Sequence, residues 1–158
     1  MTIKLKLSRT AARLTAMVLV VLGALAMVTT SAQAATERRI YHHQSELCLD
    51  GSVSQGIRLN KCNTNGYQDW EVINNHTGGD GTVFRHVESR LCLDASVDKG
   101  VRLNKCNYTT YQQWYRSTSG AKDLFHSQSH FCLDGSVSQG VRLNTCTDNN
   151  TYQMWTLF

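Results

Sequence analysis

Three blocks of the same residues recur along this chain, and that recurrence limits the fold more than any other feature. The first block holds Cys48-Leu49-Asp50, Ile57-Arg58-Leu59-Asn60-Lys61-Cys62 and Tyr67-Gln68-Asp69-Trp70. The second holds Cys92-Leu93-Asp94, Val101-Arg102-Leu103-Asn104-Lys105-Cys106 and Tyr111-Gln112-Gln113-Trp114. The third holds Cys132-Leu133-Asp134, Val141-Arg142-Leu143-Asn144-Thr145-Cys146 and Tyr152-Gln153-Met154-Trp155. Leading cysteines stand 44 and then 40 residues apart, and within each copy the two cysteines are 14 apart. A period of this length marks stacked or ring-closed supersecondary units.

The units are made of strands. Ile57-Arg58-Leu59 and its copies alternate apolar and polar residues, as a half-buried strand does. Small polar residues between Gly51 and Gly56, and between Gly135 and Gly140, predict loops. Turns are expected at Thr77–Gly81 and over 117–123, between copies. No ten-residue stretch has helical periodicity, so the class is all-β, with about four short strands per copy. A solenoid needs polar capping repeats, and a propeller usually has four or more blades. Three copies suit a closed threefold barrel with a hairpin cap, the β-trefoil. Repeats are expected at about 39–78, 83–120 and 123–158.

The residues ahead of the repeats have a different character. Lys4, Lys6, Arg9 and Arg13 precede the apolar stretch Met17 to Val28, and Ala32-Gln33-Ala34 follows with the small residues of a cleavage site. That order predicts a secretory signal peptide over 1–34 and a single exported domain over 35–158. The apolar run is short for a membrane span. Four of the 16 Lys+Arg and none of the 12 Asp+Glu fall in 1–34, so the remainder is balanced at net zero. A nucleic-acid partner draws on a basic surface, and the balanced chain offers none.

Export makes disulfides the expected state of six cysteines. Of the fifteen possible pairings, the threefold repetition selects Cys48–Cys62, Cys92–Cys106 and Cys132–Cys146. Zinc sites favour tighter cysteine pairs, and no metal or other cofactor is expected.

Cys-Leu-Asp, a second cysteine and Gln-x-Trp, three times in register over residues 40–158, resemble the ricin-B-type lectins. The resemblance implies a β-trefoil with one shallow sugar site per copy. The repeat spacing is most similar to compact mannan-binding trefoils of the actinohivin type. The family's sugar-binding aspartate matches Asp50, Asp94 and Asp134, and its tyrosine matches Tyr67, Tyr111 and Tyr152. Its asparagine matches Asn63 and Asn107, whereas copy three has Thr147 there and one extra residue before Gln153. The chain departs from the family at two further positions. Asn60, Asn104 and Asn144 stand where galactose- and xylan-binding members carry an aromatic ring. Arg58, Arg102 and Arg142 stand where the mannan-binding type has tyrosine. The resemblance therefore does not name the sugar.

Read as chemistry, each copy offers what a neutral sugar needs: a carboxylate that accepts from hydroxyls, amides, and an aromatic face. The same aspartates could instead only cap turns. For the arginines two readings stand, an ion pair with the neighbouring aspartate or recognition of an acidic sugar. Gln68, Gln112 and Gln153 are expected to brace the site, and Trp70, Trp114 and Trp155 to anchor the core. His42, His86 and His126, each six residues before a leading cysteine, are expected to make a structural hydrogen bond. Asn75, Asn107 and Asn149 begin glycosylation sequons. The expected function is a secreted, monomeric, non-catalytic lectin with carbohydrate as partner. The alternative is a protein-binding or inhibitory trefoil acting through its loops. Enzymatic glycoside hydrolysis needs two opposed carboxylates, and the repeat places one aspartate per copy. Copy three is expected to bind least well.

Overall fold

The computed structural model describes residues 36–74, 81–116 and 123–158. The expected signal peptide, the Asn75 sequon and most of the two turns between copies lie outside the described residues.

Each copy contributes four strands, and copies one, two and three follow each other in the same order. Copy one has β2 (Ile40–His42), β3 (Leu47–Ser52), β4 (Gly56–Asn60) and β5 (Trp70–Ile73). Copy two has β6 (Val83–His86), β7 (Cys92–Ser96), β8 (Gly100–Asn104) and β9 (Trp114–Arg116). Copy three has β10 (Leu124–His126), β11 (Cys132–Ser136), β12 (Gly140–Asn144) and β13 (Trp155–Leu157). One further strand, β1 (Thr36–Arg38), precedes them and pairs antiparallel with β5. Its three residues are all exposed and carry no alternating pattern that a sequence reading could use.

The last strand of each copy pairs with the first strand of the next: β5 with β6 and β9 with β10. The ring closes where β13 meets β2, with Trp155 opposite His42 and Leu157 opposite Ile40. This pairing leaves no solenoid end at either terminal copy and establishes the β-trefoil. Ile40, Phe84 and Leu124 occupy matching positions of the first strands and are buried, as are Trp70, Trp114 and Trp155 at the start of the last strands. Each indole N–H donates to a backbone carbonyl of its own copy, Leu49 at 3.2 Å, Leu93 at 3.1 Å and Leu133 at 2.9 Å. The tryptophans thus bury a large apolar area without leaving a donor unpaired.

The remaining strands form three hairpins, β3–β4, β7–β8 and β11–β12, whose second strands meet one another over the barrel. Ile57, Leu59 and their copies turn toward the core. The alternation puts the intervening arginine on the opposite face. The expected six-residue loop at 51–56 is shorter than the sequence suggests. Pairing runs on through Ser52 opposite Gly56, which leaves a three-residue turn. Gly56, Gly100 and Gly140 carry φ of 75°, 68° and 74° at the end of each turn, a conformation in which a side chain costs about 1–2 kcal/mol.

The three disulfides are Cys48–Cys62, Cys92–Cys106 and Cys132–Cys146, with Cα–Cα distances of 5.0, 5.1 and 5.0 Å. Each fastens the loop after a hairpin to the hairpin's first strand. Among the described residues no helix is long and apolar enough to cross a membrane. The helical turns present are short 3-10 turns, including Thr110–Gln112 and Thr151–Gln153.

Candidate carbohydrate site

In every copy the hairpin brings an aspartate and an arginine directly opposite each other: Asp50 with Arg58, Asp94 with Arg102, and Asp134 with Arg142. Opposed residues of an antiparallel pair point to the same face. Nη2 of Arg58 lies 2.6 Å from Asp50 Oδ1, and Nη2 of Arg142 lies 2.7 Å from Asp134 Oδ1. Arg102 contacts Asp94 Oδ1 in the same way. Of the two readings of the arginines, the ion pair is the one the structure forms. The aspartates are 0%, 1% and 1% exposed, while the arginine side chains keep about a third of their surface (31%, 28% and 33%). In all three copies Oδ1 is buried beneath the guanidinium that contacts it.

The other carboxylate oxygen is held from behind. Gln68, Gln112 and Gln153 are fully buried, and their Nε2 groups donate to Oδ2 of Asp50, Asp94 and Asp134 at 3.3, 3.1 and 3.3 Å. The same Nε2 donates to the carbonyl of Lys61, Lys105 or Thr145 at 3.0, 2.9 and 2.8 Å. Each Oε1 accepts the backbone N–H of Asn63, Asn107 or Thr147 at 2.9, 2.9 and 3.0 Å. A buried amide with both ends engaged is a rigid brace, so the glutamines orient the aspartate and face away from solvent.

The asparagines divide their work. Asn60, Asn104 and Asn144 each accept the N–H of the next residue through Oδ1 at 2.9 Å. In copies two and three their Nδ2 also reaches the aspartate Oδ2, at 3.3 and 3.5 Å. Asn63 is spent on its own loop: Nδ2 donates to the Lys61 carbonyl and Oδ1 accepts from Asn65 N–H, both at 3.0 Å. In copy two, Asp94, Arg102, Asn104, Asn107 and Tyr111 line one cavity of about 360 Å³. In copy three, Asp134, Arg142, Asn144 and Tyr152 line one of about 340 Å³.

Two groups at these cavities were not legible in the sequence. Asn150 lines the copy-three cavity, while Thr147, in the register of Asn107, does not. Asn150 takes the cap position that Thr109 holds in copy two, so the longer loop of copy three still brings an amide to the cavity. Asn150 Oδ1 also accepts the N–H of Tyr152 at 3.1 Å and caps the 3-10 turn. In copy two, Asp98 and Lys99 reach the cavity where copy three has Ser138 and Gln139. The expectation of one aspartate per copy therefore fails for copy two, because the three-residue turn folds back over the site. Asp94 is already engaged by Arg102, Gln112 and Asn104.

The site tyrosines are placed across the copy boundary. Their side chains are 40%, 42% and 43% exposed. The carbonyl of Tyr67 is bonded by His86 Nε2 at 3.0 Å, that of Tyr111 by His126 at 3.1 Å, and that of Tyr152 by His42 at 3.0 Å. Each histidine thus holds the tyrosine of the preceding copy, and His42 does so across the ring closure. A carbonyl can only accept, so Nε2 carries the proton and Nδ1 accepts from Ser45, Ser89 or Ser129 Oγ at 2.8 Å. Burial pushes all three imidazoles below their ordinary 6.5, partly opposed by the carbonyl bond and by a nearby aspartate.

A closed threefold ring with a braced carboxylate pocket in successive copies defines a β-trefoil of the lectin kind. The chain belongs to the ricin-type β-trefoil lectin domain family, whose model matches residues 36–155. Solved structures share the fold at low identity. The designed threefold-symmetric protein ThreeFoil is 19% identical with a TM-score of 0.66, over 77% of this chain and 96% of that one. The Polyporus squamosus lectin bound to Neu5Aca2-6Galb1-4GlcNAc is 14% identical with a TM-score of 0.67, over 80% of this chain and 50% of that one. A non-toxic homologue of type II RIPs from Momordica charantia, in complex with alpha-methyl-D-galactoside, is 21% identical with a TM-score of 0.63, over 78% and 48%. No curated protein matches the chain by sequence.

Proposed function

We propose that this protein is a secreted, non-catalytic lectin that binds carbohydrate through one shallow site in each of its three copies. One observation carries the reading. In copies two and three a buried aspartate, ion-paired to arginine and braced by glutamine, stands with its arginine at the wall of an open cavity beside amides and a tyrosine. A sugar hydroxyl can accept from the partly exposed guanidinium and from the amides, and donate to amide and phenol oxygens. The arginine neutralises the carboxylate, so the site suits an uncharged ligand.

Membership of the lectin family supports the same reading, as does the apolar lead segment followed by a cleavage-type sequence. The loop-mediated protein-binding alternative is less well supported. The turns Gly51-Ser52-Val53-Ser54-Gln55-Gly56 and Gly135-Ser136-Val137-Ser138-Gln139-Gly140 are identical, and copy two keeps the same turn length while differing at Ala95, Asp98 and Lys99, which favours equivalent sites in at least two copies. The test is a glycan array with the wild type and with the triple variant Asp50→Asn, Asp94→Asn, Asp134→Asn. Asparagine preserves shape and removes the charged acceptor. Binding to the same glycans at unchanged strength by the triple variant would refute the assignment.

A further inference from the structure

We propose that the junction between copies three and one carries a second sugar subsite, so that the copy-three site takes two consecutive units of a neutral oligosaccharide. The inference rests on the carbohydrate reading above and extends it to ligand length.

A second cavity, of about 280 Å³, lies beside the copy-three site. Ser136, Ser138 and Tyr152 line both cavities and form the partition between them. On the far side, the lining changes from Asp134 and Arg142 to Val137, Gln44 and Ser45. Within β11, Asp134 and Ser136 belong to one face and Gly135 to the other, which puts the carboxylate in the copy-three site and the glycine in the second cavity.

This lining is chemically suited to a sugar ring. It has no carboxylate, lysine or arginine, and its imidazole, His42, is engaged by the Tyr152 carbonyl and Ser45. Val137 is 76% exposed and Tyr152 is 43% exposed, so two apolar surfaces border the cleft. Gln44 is fixed at the rim because Thr151 Oγ1 donates to its Oε1, so its amide is held among the residues that line the cleft. The ligand that presents C–H faces and hydroxyls together, and reaches the cleft from the neighbouring site over a partition one ring thick, is the next unit of the same saccharide.

The other junctions differ at the positions that shape the cleft. Glu88 stands where Gln44 does, two residues after the histidine, and Ala95 stands where Gly135 does. A Cβ at Gly135 would lie 2.9 Å from Trp155 Cη2 and 3.0 Å from His42 Nε2, so glycine leaves the floor of this cleft open. The neutral rim and glycine floor thus coincide at the junction of copies three and one.

The test uses the ¹⁵N-labelled protein, titrated by NMR with matched probes: mannose and α-1,2-mannobiose, galactose and lactose, xylose and xylobiose. For the pair that binds, the disaccharide is expected to shift the amides of Ser45 and Val137, which the monosaccharide leaves in place. The double variant Gln44→Ala, Val137→Ser alters exposed side chains only. It is expected to weaken the disaccharide about fivefold at copy three, the loss of part of one apolar contact, and to leave the monosaccharide unchanged. Equal disaccharide affinity in the variant and the wild type overturns the subsite while leaving the primary site standing. If Asp134→Asn leaves copy-three monosaccharide shifts intact, or if no pair binds at all, the primary reading falls and the subsite falls with it.

Discussion

Acid should loosen this fold at the three copy boundaries before it reaches the carboxylates. His42, His86 and His126 have no exposed surface, and each donates Nε2–H to a tyrosine carbonyl of the preceding copy. A second proton would have to enter at Nδ1, which already accepts from a serine hydroxyl; in copies two and three it also faces the N–H of Ser89 and Ser129 at 3.2 and 3.3 Å. The charged groups acting on the rings are few. Asp134 and His43 act on His42; Asp50, Glu88 and Asp69 on His86; and Asp94 and Arg102 on His126. Burial outweighs them, so each folded pKa lies below the ordinary 6.5 of the unfolded chain. Stability from a lowered histidine is complete above the unfolded value. As pH falls below 6.5 the unfolded state takes up protons that the folded state refuses, and stability declines until the folded pKa is reached. One proton per histidine gives a slope approaching about 1.4 kcal/mol per pH unit, and three give about 4. Urea unfolding followed by tryptophan fluorescence between pH 7.5 and 5 measures it. His126→Asn should remove about a third of the slope. A stability profile flat from pH 6.5 to 5, or a slope unchanged in His126→Asn, would refute the argument. Glu71 acts in a lower window. Burial pushes its carboxyl up, but the bonds and charges of Arg85 and Arg90 outweigh this and leave it below its ordinary 4.5. Its contribution is present above that value and fades below it.

Three further outcomes follow from the site. Gln112→Ala removes the donor to Asp94 and the Lys105 carbonyl, and the acceptor of the Asn107 and Tyr108 N–H groups. It should cost about 2–4 kcal/mol in chemical denaturation and weaken copy two's sugar site with it; a loss under about 0.5 kcal/mol would contradict the bracing role. Three shallow sites on one rigid ring should bind a polymeric glycan about 10²–10⁴ times more tightly than its monomer, which titration calorimetry with both forms would measure. Because Asn150 stands in for the missing asparagine of copy three, Asp134→Asn and Asp50→Asn should lower that avidity comparably, and a much smaller effect of Asp134→Asn would restore the ranking expected from the sequence.

What the sequence determined by itself was whatever repeats locally. The triplicate Cys-Leu-Asp and Gln-x-Trp, with cysteines 14 apart, sufficed for an all-β ring, for three disulfides, for the bracing glutamines and for the buried tryptophans. These depend on spacing within one copy, and spacing is written in the chain. What spacing does not contain is distance between copies. Only the tertiary structure shows β13 against β2, His42 holding the carbonyl of Tyr152 from 110 residues away, and the cleft between Tyr152 and Gln44. Two local choices also waited for it. Whether Arg58 and its copies pair with the aspartate is likewise open in the sequence, where recognition of an acidic sugar is the other reading; the register sets the two side chains opposite each other and the pair forms. Whether the extra residue in copy three breaks its site is a question of backbone path. The 3-10 turn keeps the same three residues in copies two and three, the extra residue lies ahead of it, and its cap Asn150 puts an amide at the cavity.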